Sequence, residues 1–356
     1  MKAHTMKKSL GLLTAVTLSF ALVACGGGTN TKETTAGGTA AAEKTVKVNV
    51  GSSSKGAVTA IQIEVAQALG FFKEEGLDAN VIYFKSGTES AGALVSGQID
   101  FSVNAVDHAI KAREQNKTLK MIASFTDKPS NTLLVSSSLK DSVKSVKDLK
   151  GKKIGVTGVG SGTHILTTYV LQKNGMTAED VQIVPIGSAS NFIAAFKNNA
   201  IDAGMVFDPT STQLTDMSYT FPLIDMSDDA GTKQVFTEGG YQFTGLLTTE
   251  DVINNKKDVA QRMVNAMIKS NKYIASHKAE EIVAKLPADV VGKDKDLYLK
   301  SFAHTQPAIS KDGVVSKKAV ENNLEALKAY DPKNEAVKTL DAASLYDMQF
   351  VENSKK

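Results

Sequence analysis

Arginine, tryptophan and cysteine are nearly missing from this chain. Of its 356 residues only Arg113 and Arg262 are arginine, and neither stands at a strand-to-helix turn. A bidentate guanidinium clamp on a carboxylate is therefore not expected. With Trp 0, an indole platform is excluded, and aromatic contact falls to the 14 Phe and 8 Tyr. A single cysteine, Cys25, can close no internal disulfide. The histidines, His4, His108, His164, His277 and His304, are scattered without a His-x-x-x-His or His-Glu pair, so no metal is expected. No Gly-x-Ser-x-Gly elbow occurs, and no catalytic residue or cofactor is expected. Nor is either charge in real excess: Lys+Arg 41 stands against Asp+Glu 38, and Lys2, Lys7 and Lys8 supply the difference. That balance leaves nucleic-acid binding without its basic stripe.

What is present begins with an address. Lys7-Lys8 precede an apolar stretch, Ser9–Ala24, that falls short of the about 20 residues of a membrane span. It ends Leu22-Val23-Ala24-Cys25, which resembles a bacterial lipobox, with Cys25 lipidated to become the new N-terminus. Met6 is an alternative start. Gly26–Lys44 carries no large apolar residue and is expected to be a flexible tether. These features predict an exported protein, lipid-anchored through Cys25 on the outer face of the cell membrane, with residues 1–25 as signal and 26–44 as tether.

The body is organised around the segment from Lys152 to Tyr169. Ile154-Gly155-Val156 has the apolar run of a buried parallel strand, Gly158, Gly160 and Gly162 make a turn, and Ser161 or Thr163 can cap the following helix. Such a unit gathers free N–H groups and a positive dipole end at one spot. It has an earlier echo. Val46–Val50 runs into Gly51-Ser52-Ser53-Ser54, and Gly87 and Asp100 recur as Gly187 and Asp202. Two α/β lobes of similar order follow, with 45–136 as the first part of lobe 1, 137–238 as lobe 2, and 239–356 as a return to lobe 1 with C-terminal helices. Those helices are expected to pack on lobe 1 and contribute little chemistry. Asp100 and Asp202, being repeated, are strand-edge or capping residues rather than an acid/base pair.

In open α/β sheets ligands bind beyond the carboxyl ends of the strands. Here those ends carry Ser53, Ser54, Thr88, Glu89, Asn104, Ser161, Gly162, Thr163, His164 and Asp208. Hydroxyls and N–H groups dominate, which suits a small anion or polar solute. Gly158-Val159-Gly160-Ser161-Gly162-Thr163 is a candidate dinucleotide loop, with Asp180 as the ribose acid. The third glycine of that fingerprint falls at Thr163, and the match is imperfect.

Phe71-Phe72-Lys73-Glu74-Glu75-Gly76-Leu77, Gly87-Thr88-Glu89, Ser96-Gly97-Gln98-Ile99-Asp100-Phe101 and Asp148-Leu149-Lys150-Gly151-Lys152-Lys153-Ile154-Gly155-Val156 resemble the substrate-binding proteins of nitrate/sulfonate/taurine-type ABC importers. Ser161-Gly162-Thr163-His164 and Phe207-Asp208-Pro209 extend the likeness, which runs over roughly Val46–Leu247. The same superfamily includes pyrimidine-precursor-binding and pyrimidine-synthesising proteins of thiamine metabolism. The resemblance implies a type II periplasmic-binding-protein fold, two α/β lobes with a hinge and a ligand cleft between them. It implies that the first-strand turn, Asn104 and Ser161–His164 line the site. The function so implied is a monomeric extracytoplasmic receptor that closes on a sulfonate, nitrate, taurine or pyrimidine-like solute and hands it to a membrane permease with its cytoplasmic ATPase. An enzyme of the pyrimidine-synthesising branch would require a cofactor lysine and a cytoplasmic location, which the export segment argues against. A sensor that binds without transport is the third reading.

Overall fold

A computed structural model describes residues 45–53, 55–187 and 189–355, so the signal segment, Cys25, the tether and Ser54 lie outside the described residues. Ten strands form two sheets. The first contains β1 (Val46–Ser52), β2 (Leu77–Tyr83), β3 (Phe101–Ala105), β4 (Leu119–Ser124) and, from much later in the chain, β10 (Thr244–Thr249). The second contains β5 (Asn131–Ser136), β6 (Lys153–Val156), β7 (Gln182–Pro185), β8 (Ala203–Phe207) and β9 (Thr220–Asp225). Their orders are β2-β1-β3-β10-β4 and β7-β6-β8-β5-β9. In each sheet four strands run parallel, and one antiparallel strand that has crossed from the other half lies between the third and the fourth. Val50 lies opposite Val81 and Phe101, and Ile154 opposite Ile183 and Ala203.

The repeat read from the sequence holds at the level of hydrogen bonds. Asp100 accepts the Asn49 amide at 2.9 Å, and Asp202 accepts the Lys153 amide at 2.8 Å. Each carboxylate therefore stitches the start of its central strand, the role expected of repeated strand-edge residues. Gly51 and Gly155 are equivalent too. A Cβ at Gly51 would lie 2.5 Å from Ile99, and one at Gly155 would lie 2.8 Å from Ile201.

One boundary shifts. Lobe 2 was expected from residue 137, but β5 already pairs with β8 and β9, so the chain crosses between Ser124 and Asn131. An antiparallel strand buried along its whole length looks the same in sequence on either side of a crossing. The return crossing precedes β10 and runs beside the outgoing one, where the Phe125 amide donates to the Thr244 carbonyl at 2.9 Å.

The C-terminal helices also depart from expectation. Lys257–Ser276 does pack under the first sheet through Met263, Val264 and Met267. Lys317–Tyr330, however, lies along Gly162–Lys173 of the second lobe, and Tyr330 meets the His164 ring edge-on at 4.9 Å. One apolar core runs through both halves, joining Leu94 and Ile110 to Leu133, Leu166, Met205 and Leu327. No helix among the described residues is long and apolar enough to cross a membrane.

Candidate ligand-binding cleft

The carboxyl ends of the parallel strands from both sheets face one another across a cleft of about 820 Å³, part of it open to solvent. From the second lobe, β6 leads into the glycine turn. Ser161 caps the helix Gly162–Lys173 by accepting the His164 amide at 3.3 Å. The Thr163 hydroxyl accepts the Thr157 amide at 3.0 Å and shares hydrogen bonds of 2.9 Å with the Thr157 and Ser161 hydroxyls. These side chains hold the turn to itself, while the first helical N–H groups, at Gly162 and Thr163, keep no intrahelical partner. A Cβ at Gly162 would lie 3.0 Å from Phe243 and 3.3 Å from Ala105, so the two lobes touch here.

The first lobe mirrors this arrangement. Ser86 caps the helix Gly87–Val95 by accepting the Glu89 amide at 3.2 Å. Asn104, at the end of β3, donates to the Gly87 carbonyl at 2.7 Å and accepts the Ala105 amide at 3.1 Å. Gly87 and Gly162 thus bring two helix N-termini, one from each lobe, to the same cleft.

The expected residues divide accordingly. Ser53, Asn104, Ser161, Gly162 and Thr163 line the cleft. Thr88 and Glu89 are exposed outside the lining, and Glu89 folds back to accept the Lys85 amide at 3.1 Å, an ordinary helix-start contact. His164 stands behind the turn, its Nδ1 accepting the Gly160 amide at 3.1 Å. Burial, aided by the Lys111 ammonium, pushes its pKa down.

Asp208 is buried at the seam between the lobes. Its Oδ2 accepts His304 Nδ1 at 2.7 Å and the Thr305 hydroxyl at 2.9 Å, and its Oδ1 accepts the Thr212 amide at 3.0 Å. His304 Nε2 reaches Asp225 at 2.8 Å. His304 belongs to the helix Lys295–Thr305, whose Tyr298 and Phe302 pack with Val58 and Ile61 of the first lobe. The triad therefore crosses the seam. Hydrogen bonds to Asp208 and then Asp225 raise the His304 pKa to about 10. Burial pushes Asp208 and Asp225 up, but the hydrogen bonds and charge of His304, together with hydrogen bonds from Ser211 and Thr212 to Asp208 and from Ser227 to Asp225, outweigh it, and both lie below the ordinary value.

Sequence reasoning missed the apolar walls, Phe192, Phe207 and Phe243, and the polar His108 and Thr210, while Lys85, a fixed positive charge at the strand ends, does line the cleft. Two of these carried a legible signal. Phe207 ends β8, and His108 follows Asn104 by four residues, at the start of the helix Asp107–Ala112. The neighbouring Asp107 is fully buried, accepting the Tyr241 hydroxyl at 2.6 Å and Asn323 at 2.8 Å, and burial pushes its pKa up to about 6. Among the described residues no His/Cys/Asp/Glu group is arranged to hold a metal ion.

Two linked α/β lobes, each with a crossed-over strand and with a cleft at their strand ends, define the fold of periplasmic binding proteins. A protein of Bordetella bronchiseptica RB50 shares it with a TM-score of 0.81 and 26% identity, over 87% of this chain and 96% of that one. The alkanesulfonate-binding protein SsuA of Xanthomonas axonopodis pv. citri, bound to MOPS, shares it with a TM-score of 0.66 and 19% identity, over 88% of this chain and 99% of that one. By sequence, residues 58–281 match the NMT1/THI5-like family, and the chain belongs to it. Among curated relatives, a 4-amino-5-hydroxymethyl-2-methylpyrimidine phosphate synthase of Aspergillus parasiticus is 34% identical over 145 residues, 40% of this chain and 40% of that protein.

Proposed function

We propose that this chain is the solute receptor of an ABC importer, lipid-anchored through Cys25 on the outer face of the membrane and working as a monomer. It captures a small anionic or polar organic solute between its lobes and passes it to a membrane permease with its ATPase. The observation that carries this reading is the convergence of two helix N-termini, one from each lobe, on a single cleft walled by phenylalanine. A solute with hydrogen-bond acceptors and a small apolar body fits such a lining: a sulfonate, taurine, nitrate or a pyrimidine-like ring. Because its acceptors pair with both lobes at once, the bound solute favours the shut arrangement by hinge motion. Ser53, Ser54, Asn104, Ser161, Gly162 and Thr163 form the site in this reading. Thr88 contributes through its backbone amide, and Glu89, His164 and Asp208 hold the surrounding structure.

A second reading is favoured by the curated relative named as a synthase. It requires a cofactor lysine in the cleft, and Lys85, the one lysine among the described lining residues, stands exposed at the mouth. Mass spectrometry separates the two readings, since a receptor returns its solute unchanged and a synthase does not. The test of the leading reading is a thermal-shift screen of residues 26–356 against sulfonates, taurine, nitrate, small carboxylates and pyrimidines. A solute at a hundred times its dissociation constant adds about 2.7 kcal/mol of stability, a shift of several degrees. A clear shift with one class names the cargo, and unshifted melting with every class removes the receptor reading for these solutes.

A further inference from the structure

We propose that His108 is the side chain that reads the solute's hydrogen-bonding edge, selecting solutes that carry a donor beside an acceptor. This rests on the receptor reading above. The polar side chains first expected at the site are largely spent on the protein itself. Asn104 is committed to Gly87 and Ala105, and Thr163 and Ser161 to each other and to the turn. His108 is different. It lines the cleft, is only 5% exposed, and its imidazole makes no hydrogen bond among the described residues. A ring nitrogen that opens on the cleft and is not spent on the protein is free to pair with a solute.

The surroundings keep this imidazole open and neutral. A Cβ at Gly87 would lie 3.0 Å from His108 Nε2, so glycine there leaves the ring edge clear toward the cleft. Burial, reinforced by the Lys111 ammonium, pushes the His108 pKa down to about 3. A neutral ring offers one N–H donor and one lone pair. The helix N-termini at Gly87 and Gly162 supply donors only, so His108 is positioned to accept from a donor on the solute. An amide, an amino-bearing ring or an ammonium beside an acid group would use both kinds of contact. A bare anion would use only the donors.

The experiment compares two pairs of probes by calorimetry on the chain from residue 26 to 356: taurine against ethanesulfonate, and cytosine against nitrate. The wild type is expected to prefer the donor-bearing member of a pair it binds. His108→Leu should weaken that member about tenfold or more and erase the preference, while His108→Gln, which keeps a donor and an acceptor, retains most of it. Independently of any variant, the ring ¹⁵N signals of His108 should move when the bound probe saturates the protein. A preference unchanged in His108→Leu, or static ring signals on saturation, overturns the assignment to His108 alone. A wild type that binds none of the four overturns both it and the receptor reading for these solutes.

Discussion

Replacing His304 with alanine tests whether the seam triad ties the lobes together. The substitution removes two contacts to ionised carboxylates, at 2.7 and 2.8 Å, from one imidazole. Raising the pKa from 6.5 to about 10 would correspond to about 5 kcal/mol at 1.36 kcal/mol per unit. The side chain is 38% exposed, so solvent screening cuts this heavily, and a loss of about 2 kcal/mol is expected. Asp208 keeps Ser211, Thr212 and Thr305 as partners, which also limits the damage. The sign with pH is fixed by the direction of the shift. A histidine whose folded pKa is raised stabilises fully below its unfolded value, and that stability drains away as pH rises through about 10. Urea unfolding of wild type and His304→Ala should therefore show the widest gap near pH 6 and a much narrower one near pH 9.5. A gap that is absent, or equal at both pH values, would refute the triad as a charged clamp. Asp225→Asn, which leaves the Asp208 contact in place, should lose about half as much.

At the cleft, Ser161→Ala with Thr163→Ala should weaken solute binding at least about tenfold, because the turn that aims the Gly162 amide loses its internal hydrogen bonds; unchanged affinity in calorimetry would remove this turn from the site. Loss of the Ser161 cap should also lower stability by about 1 kcal/mol in urea unfolding. Gly87→Ala places a Cβ 2.5 Å from Asn104 Oδ1 and 3.0 Å from His108 Nε2. It should depress affinity and also lower the melting temperature, since the buried Asn104 must shift and strain its hydrogen bonds to Gly87 and Ala105. Phe101→Ala empties a fully buried position under the first sheet and should cost about 3–5 kcal/mol by urea unfolding, with no direct loss of cleft chemistry.

Much of the architecture was legible because the two halves solve the same problem with the same residues. Gly51 and Gly155 admit a neighbour's side chain where a Cβ would collide, and Asp100 and Asp202 close equivalent strand starts. Those demands leave fixed letters at matching places. The crossing was harder, since Asn131–Ser136 is buried throughout and nothing local says which sheet receives it. At the site, the turns were found but their roles were not. Serine, threonine and asparagine cap helices with the same atoms that would bind a solute, and here Ser161, Thr163 and Asn104 are occupied by the backbone around them. His108 is distinguished by lacking such a partner, which only the folded arrangement reveals. The Asp208–His304 pair lies beyond any local pattern, because its partners are 96 residues apart and meet through packing of a C-terminal helix expected to be inert.

Two-lobed capture is tested most directly by ¹H–¹⁵N spectra of the labelled protein, titrated with the probe that gives the largest thermal shift. The amide signals of Gly87 and Thr88 from one lobe and of Gly162 and Thr163 from the other should move together with a single midpoint. Movement confined to one lobe, or midpoints that differ, would contradict capture between the two helix N-termini.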